Sequence, residues 1–185
     1  MGKIFLSADP HYNHSNIIKY CDRPFTSAYE QDIALITNWN SKITEKDECY
    51  MLGDFGMGSP EWLFDKIATK LNGKIYLIKG NHDKSSTKEP LCNRFEWIKD
   101  VHFLKTQCAG EKVEIFLSHY AHRVWPKSHR GAFHAYGHSH GNLPFYPSSL
   151  DVGVDTNNYF PYSLPEVLNK IYELNLVGLP EVFKY

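Results

Sequence analysis

A chain of 185 residues with 42% hydrophobic and 22% charged side chains has the composition of a globular protein, which excludes disordered and fibrous classes. Its formal net charge of −1 gives no global attraction to nucleic acid, and no apolar run approaches the roughly 20 residues that span a bilayer. The start of the chain has no signal-peptide pattern, and its four cysteines form no CxxC pair. We therefore expect one domain over residues 1–185, reduced thiols, a cytoplasmic location and no membrane partner.

The first predicted strand, residues 3–8, ends in Asp9-Pro10-His11. Proline fixes its own φ and biases Asp9 towards extended geometry, so Asp9 and His11 can project into one space as half of a metal site. Asp9 as the cap of a following helix is the alternative. His14 either touches a substrate or caps the helix that the next residues predict.

Arg23 lies in a predicted loop, where it either binds a substrate phosphate through both guanidinium nitrogens or pairs with a surface carboxylate, the default. Residues 27–43 follow with the spacing of an amphipathic helix, and Ile33, Ile36 and Ile43 fall on one face.

Two further predicted strands, residues 48–52 and 74–79, also end in polar side chains. The first is followed by Gly53-Asp54 and then by a helix with Ser59 as its cap; the helix pattern continues to Leu71. The second is followed by Gly80-Asn81-His82-Asp83. A plain polar turn is the alternative for that motif, because Gly-Asn is ordinary turn chemistry.

Residues 84–110 are harder to interpret, because they are polar at first and then show short apolar pieces at 95–98 and 101–104. Beyond them, two more predicted strands end in histidines. Residues 112–117 precede Ser118-His119, and residues 133–136 precede Gly137-His138-Ser139-His140. The basic, aromatic stretch 122–131 between them is either a substrate lid, with Arg123 as a substrate contact, or a solvated loop. Residues 150–155 resemble a last strand. A capping box at Ser163 then opens a helix whose core face holds Leu164, Val167, Leu168, Ile171 and Tyr172.

Five strands thus end in candidate metal ligands, more coincidences than scattered capping residues explain. The set is Asp9, His11, Asp54, Asn81, His119, His138 and His140. This mixture of oxygen and nitrogen suits Mn, Fe, Zn, Ni or Co better than Ca or Mg. Seven ligands are too many for one tetrahedral ion but suit two ions that share a bridging carboxylate, and Asp54 is the natural bridge.

The motifs, in their order along the chain, resemble those of the calcineurin-like metallophosphoesterase superfamily. They are Asp9-x-His11, Gly53-Asp54, Gly80-Asn81-His82-Asp83, Ser118-His119 and Gly137-His138-x-His140, so the resemblance spans residues 9–140. The short chain and the stretch 13–17 resemble a compact single-domain bacterial or phage-type branch. The resemblance implies a four-layer αββα sandwich, an α/β fold with a dinuclear metal site at the strand ends.

The resemblance also implies roles for the site residues. One ion is held by Asp9, His11, Asp54 and His140, and the other by Asp54, Asn81, His119 and His138. His82 binds no ion and faces the substrate, with Asp83 orienting it. The cofactor is then two divalent ions per chain, with manganese the first choice among Mn, Fe, Zn, Ni and Co.

The implied reaction is hydrolysis of a small phosphomonoester or phosphodiester, for example a nucleotide or cyclic nucleotide, by hydroxide bridging two ions. Two alternatives stay open. A non-catalytic metal-binding or protein-binding scaffold would keep the fold, although no motif residue is missing here. A nuclease would need a broad basic groove; the near-neutral charge disfavours one, but the stretch 122–131 leaves nucleic acid open as a partner.

Overall fold

The computed structural model describes residues 2–178, and within them the chain forms nine strands in two sheets and four α-helices. The strands are β1 (Ile4–Ser7), β2 (Glu48–Met51), β3 (Lys74–Ile78), β4 (Phe95–Lys99), β5 (Val101–Cys108), β6 (Glu111–Ser118), β7 (Phe133–Tyr136), β8 (Ser149–Asp151) and β9 (Tyr162–Ser163). The helices are α1 (Ser15–Tyr20), α2 (Ala28–Lys42), α3 (Pro60–Lys66) and α4 (Leu164–Gly178).

Both sheets are mixed and consist mainly of parallel pairs. The first has the order β4-β3-β2-β1-β9, in which β1 to β4 run parallel and β9 is antiparallel. The second has the order β5-β6-β7-β8, in which only the β5–β6 pair is antiparallel. Parallel strands end at the same edge of a sheet, so the residues after β1, β2 and β3 emerge together, as do those after β6 and β7.

Successive side chains of the first sheet point to its opposite faces, and each face packs into a different hydrophobic core. Phe5, Met51 and Leu77 face α2 and α3, where they pack with Leu35 and other buried side chains. The residues next to them in sequence point to the opposite face, as the period of a strand requires. That opposite face of the first sheet forms the second core.

The second core lies between the sheets. Leu6 and Leu52 of the first sheet meet Ile115 and Leu117 of β6 there. Helix α4 joins this core at the edge of the sandwich, where it contacts β1, β8 and β9. The result is a mixed α/β sandwich.

A loop covers part of the outer face of the second sheet. Phe116 of β6 packs there against Trp125 and Ala132, which belong to the loop that follows His119. The Trp125 indole Nε1 donates to the Ala132 carbonyl at 2.8 Å. The loop is therefore packed against the second sheet at Phe116.

Both predicted capping motifs are confirmed. Ser59 Oγ accepts from the backbone N–H of Trp62 at the start of α3. At the start of α4, the Ser163 N–H donates to Glu166 Oε2 at 2.6 Å, and the Glu166 N–H donates back to Ser163 Oγ at 3.4 Å.

Several element details differ from the predictions. Ile33 and Tyr172 were placed on core faces but are 46% and 55% exposed. Helix α3 ends at Lys66, and the residues up to Lys70 form a 3₁₀ turn in its place. The last predicted strand stops at Asp151, because residues 154–156 form a 3₁₀ helix.

The four cysteines are free thiols, as expected. Among the helices of residues 2–178, none has the length and apolar character needed to cross a membrane.

Candidate metal centre

The loops that follow β1, β2, β6 and β7 are joined by backbone hydrogen bonds. The Asp9 N–H donates to the Gly53 carbonyl at 3.0 Å, and the His11 N–H donates to the Asp54 carbonyl at 3.1 Å. Gly137 donates to the His119 carbonyl at 2.9 Å, which joins the ends of β6 and β7 in the second sheet. These bonds bring the predicted ligands of each sheet to a common edge.

The first cluster of possible ligands contains Asp9, His11 and His140. One donor atom from each lies within 4.8 Å of the others. Asp9 Oδ1 and His11 Nε2 are both buried and have no hydrogen-bond partner. A buried polar atom without a partner is costly, and a bound cation is a chemical group that would satisfy both a carboxylate oxygen and an imidazole lone pair.

The second cluster contains Asp54, His119 and His138, whose donor atoms satisfy the same 4.8 Å limit. Asn81 adds an oxygen to it, because its Oδ1 lies 3.1 Å from His119 Nε2. The structure therefore places oxygen and nitrogen donors from the seven candidate ligands in two groups.

The Asp54 carboxylate lies between the two clusters. Its Oδ2 is 3.6 Å from His11 Nε2 of the first cluster and 3.5 Å from His119 Nε2 of the second. Its other oxygen, Oδ1, accepts the backbone N–H of His82 at 2.8 Å, which fixes the orientation of the carboxylate. One oxygen with ligand nitrogens on both sides is the geometry of a bridging ligand.

In two of the histidines the ring Nδ1 lies beside a hydrogen-bond acceptor. His119 Nδ1 lies 2.8 Å from the Leu52 carbonyl, and His140 Nδ1 lies 2.7 Å from Asp155 Oδ2. A carbonyl and a carboxylate only accept, so each Nδ1 carries a proton, and the neutral form of such a ring has its lone pair on Nε2. That tautomer is the one that ligates a metal through Nε2.

The backbone of the ligands is unusual. Five of the seven have φ between 50° and 67°, the left-handed region that side chains other than glycine rarely adopt; they are Asp9, His11, Asp54, His138 and His140. Such conformations persist where the surrounding structure imposes them, and they concentrate at functional sites.

Glycines permit the close approach of the ligand loops. A Cβ on Gly80 would collide with Asp54 Oδ1 and its backbone N, and one on Gly53 would collide with the His119 ring. Gly53 also has φ 97°, which favours glycine. The glycines beside Asp54 and Asn81 are therefore needed where they stand.

Burial shifts the pKa values of two candidate ligands, Asp9 and His11, and a bound cation is compatible with both shifts. Desolvation, together with the nearby Asp151 and Asp54, raises the pKa of Asp9 well above its ordinary value. Desolvation and the neighbouring His140 lower the pKa of His11 to about 2, which keeps its imidazole neutral. A bound cation stabilises the carboxylate and uses the neutral imidazole, so it suits both groups.

His82 and His14 lie beside the first cluster without belonging to it. The His82 ring centroid is 5.5 Å from that of His11 and 6.0 Å from that of His14, and His82 is exposed. His14 Nδ1 lies 3.3 Å from His11 Nδ1. Desolvation, with His82 and Arg23 nearby, lowers the pKa of His14. Both rings are therefore placed where a substrate on the first cluster would meet them.

The structure corrects the role predicted for Asp83. Its buried carboxylate accepts four hydrogen bonds and orients no imidazole. Oδ2 accepts the N–H groups of Asp54 and Gly80 at 2.8 and 2.7 Å, and Oδ1 accepts from the Phe55 N–H and the Ser86 hydroxyl, both at 2.9 Å. Asp83 therefore fastens the loop that carries Asn81 to the loop that carries Asp54.

The prediction that Arg23 contacts substrate is also corrected. Arg23 is buried, and all five of its N–H groups donate within the protein. Two bind Asp155, two bind the carbonyls of Asp9 and Pro10, and one binds Gln31 Oε1. No donor remains for a phosphate.

Arg123 likewise lies apart from the clusters. It is exposed and lines a shallow depression with Trp125, His129, Tyr146 and neighbouring residues, none of which is a predicted ligand. The loop is anchored by the buried Trp125 indole and by the His122 N–H, which donates to His134 Nε2 at 3.0 Å.

Sequence reasoning missed three residues at the site. Asp155 binds the ring of His140; burial alone would raise its pKa, but the hydrogen bonds from His140 and Arg23 outweigh burial and lower it. Asp151 accepts the Gly141 N–H at 2.9 Å beside His140. The Tyr120 hydroxyl donates to Asn81 Oδ1 at 3.3 Å. The two carboxylates within the last predicted strand, Asp151 and Asp155, were the available signal.

Comparison with known proteins places the chain next to two others. It is 35% identical over 179 residues to the uncharacterized protein MJ1445 of Methanocaldococcus jannaschii, and the match covers 92% of each. The crystal structure of the protein of unknown function AQ665 from Aquifex aeolicus resembles it with a TM-score of 0.66 at 21% identity, over 92% of this chain and 100% of that one, which shows a shared fold. No family model matches the chain.

Proposed function

The chain belongs to the family of the uncharacterized protein MJ1445, and we propose from its own site that it is a metal-dependent phosphoric ester hydrolase. The proposal includes the calcineurin-like phosphoesterase fold that the motifs resemble and a centre of two divalent ions. The observation that carries it is the position of Asp54 Oδ2, 3.6 Å from His11 Nε2 and 3.5 Å from His119 Nε2. A bridged pair of oxygen and nitrogen sites is the arrangement of two-metal phosphatases and nucleases.

The residues fit two such ions. Asp9, His11 and His140 would hold one, Asn81, His119 and His138 would hold the other, and Asp54 would bridge them. When bound, the pair supplies Lewis-acid stabilisation of the phosphate oxygens and a water whose pKa is lowered towards neutrality.

His82 acts on the substrate in this proposal. It is exposed and lies beside the first cluster, and its backbone N–H donates to Asp54 Oδ1. An imidazole there can donate a proton to the leaving oxygen or hydrogen-bond the phosphate as charge develops, a contribution typically worth about 10²–10⁴-fold. His14 stands beside it as a second group that a phosphate could contact.

The remaining polar groups of the site hold its geometry. His119 is fixed by the Leu52 carbonyl and His140 by Asp155, so each presents a lone pair inward. Asp83 keeps the Asn81 and Asp54 loops together. These contacts preorganise the donors before a substrate arrives, which is how most of the electrostatic stabilisation of a transition state is obtained.

Hydrolysis of para-nitrophenyl phosphate and bis-para-nitrophenyl phosphate tests the proposal. The protein is stripped with a chelator and then given Mn²⁺, Zn²⁺, Ni²⁺ or Mg²⁺ in turn. We expect release that depends on the metal, with Mn²⁺ the most effective, and the preferred compound separates phosphatase from phosphodiesterase. Asp54→Asn, which weakens the bridge, should abolish release. Folded protein that binds two ions yet releases nothing from these esters or from a panel of nucleotides would contradict the proposal.

A further inference from the structure

Arg23 is a buried cation that contacts the first cluster from two sides. Its side chain is fully buried, and within residues 2–178 it is the one lysine or arginine among the buried residues. Its Nη2 and Nη1 donate to the carbonyls of Asp9 and Pro10 at 2.8 and 3.0 Å. These two carbonyls belong to the segment that ends at His11, so Arg23 sets the path of the backbone between two ligands.

The same guanidinium binds the carboxylate that holds the third ligand. Arg23 Nε and Nη2 donate to Asp155 Oδ1 and Oδ2 at 2.8 and 2.7 Å, a fork-to-fork pair. Asp155 Oδ2 also accepts His140 Nδ1 at 2.7 Å. Asp9 and His11 lie in one segment and His140 in another that is far away in the chain, and Arg23 with Asp155 connects the two segments.

The second cluster is built differently. His119 is oriented by the carbonyl of Leu52, at the end of β2, which is part of the first sheet and its backbone bonding. Asn81 Oδ1 lies against His119 Nε2 and accepts from the Tyr120 hydroxyl. The contacts of Arg23 all lie on the first cluster's side: Asp9, Pro10, Gln31 and Asp155.

We infer that the Arg23–Asp155 pair is a positioning device for the first metal position alone, so that its loss leaves a chain that still binds one ion at the second position. This inference rests on the proposed two-ion centre. The carboxylate fixes the ring and tautomer of His140, and the guanidinium fixes both the carboxylate and the Asp9–His11 backbone. Loss of such outer partners typically weakens metal affinity about 10–100-fold.

Two variants test the inference, one that removes a single charge of the pair and one that removes both. Asp155→Asn keeps an oxygen that can accept from His140 Nδ1 but removes the charge that Arg23 binds. The double variant Arg23→Met with Asp155→Leu removes both charges together, which avoids a buried unpaired ion and so preserves folding better than either truncation. Arg94→Met is the matched control, because Arg94 is a half-buried arginine that binds only the backbone carbonyls of residues 68, 71 and 73.

The measurements are Mn²⁺ binding by equilibrium dialysis and the electron paramagnetic resonance spectrum of the loaded protein, neither of which depends on activity. We expect two Mn²⁺ per chain with a spin-coupled spectrum for the unaltered protein and for Arg94→Met. Asp155→Asn should weaken one of the two binding steps by about 10–100-fold and leave the other unchanged. The double variant should bind one Mn²⁺ with the spectrum of an isolated ion.

Other outcomes overturn the inference in distinguishable ways. Equal weakening of both steps in Asp155→Asn, or none, would mean that the pair does not serve the first position selectively. Loss of both ions in the folded double variant would assign the pair a role in the whole centre. Failure of the unaltered protein to bind two ions would overturn the proposed function, and this inference with it.

Discussion

Among the imidazoles at the candidate metal centre, that of His82 belongs to neither cluster of possible ligands and is exposed. Its backbone N–H donates to Asp54 Oδ1, so replacing the side chain leaves this hydrogen bond in place. We predict that His82→Asn lowers turnover of the preferred ester by about 10²–10⁴-fold while two ions stay bound.

Metal content and steady-state rates measured on the same samples check this prediction. His129→Asn is the control, because it is an exposed histidine away from the clusters. Loss of an ion in His82→Asn would mean that His82 is a ligand, and unchanged turnover would remove it from the reaction.

Tyr120 is a residue that the sequence did not single out. Its ring packs edge-on against His119 and His138, with centroids 4.9 and 4.7 Å away, and its hydroxyl donates to Asn81 Oδ1. We predict that Tyr120→Phe weakens binding of the ion at the second position by a factor of roughly 2–10, because one neutral hydrogen bond contributes about 0.5–1.5 kcal/mol.

A Mn²⁺ titration followed by calorimetry measures that change, and Tyr20→Phe, at a tyrosine that is 73% exposed, is the control. Weakening of the first position instead of the second would show that Tyr120 acts elsewhere.

At the scale of elements, α2 supports the loop that carries the first ligands. The buried Asp32 on α2 accepts the backbone N–H of Asn13 with both oxygens, at 2.9 and 3.2 Å. Desolvation raises the pKa of Asp32 to about 6, against a smaller opposing effect of the Asn13 hydrogen bond. The folded chain therefore binds this proton more tightly than the unfolded chain.

A raised carboxyl pKa contributes stability that is complete below the ordinary aspartate pKa and is lost as pH rises through about 6. Asp32→Asn keeps an oxygen for the Asn13 N–H and removes the charge. We predict that it raises the free energy of unfolding by roughly 1–2 kcal/mol at about pH 8, with the gain shrinking towards about pH 5.

Urea unfolding of both proteins across this range, with a chelator present, measures the difference. Asp65→Asn at the exposed surface of α3 is the control. A variant that is less stable at every pH would mean that the charge on Asp32 is needed to hold the Asn13 loop.

The strands that precede the candidate ligands could be predicted from the sequence for one physical reason, whereas β4, β5 and β9 were not predicted. Short runs of β-branched and aromatic residues mark buried strands, and the ligands follow directly where the strands end. Asp54, Asn81 and His119 needed no knowledge of distant contacts, because parallel strands deliver their ends to the same edge. Local pattern was sufficient for these positions.

The misassigned residues all depend on distant contacts. Arg23 binds Asp155, which lies 132 residues away, and no local pattern pairs them. Asp83 adjoins His82 in sequence, but its carboxylate turns towards the backbone of the β2 loop, 28 and 29 residues earlier. Ile33 fits the helical period and yet faces outward, since the face that α2 buries is set by the first sheet.

At the scale of the whole molecule, each of the two sheets supplies part of the candidate metal centre. The first sheet supplies Asp9, His11, Asp54 and Asn81, and the second supplies the three other histidines. The core between the sheets holds these edges together, so the two proposed ion positions depend on the complete sandwich. A bound pair of ions should in turn stabilise the folded chain, because the unfolded chain has no such site.

The measurement that tests this account most directly is the anomalous scattering of Mn²⁺-loaded crystals. We predict two peaks about 3.5–4 Å apart on either side of Asp54 Oδ2. One should contact Asp9, His11 and His140, and the other Asn81, His119 and His138. A single peak, or two peaks that do not share Asp54, would contradict the dinuclear centre on which the proposed reaction depends.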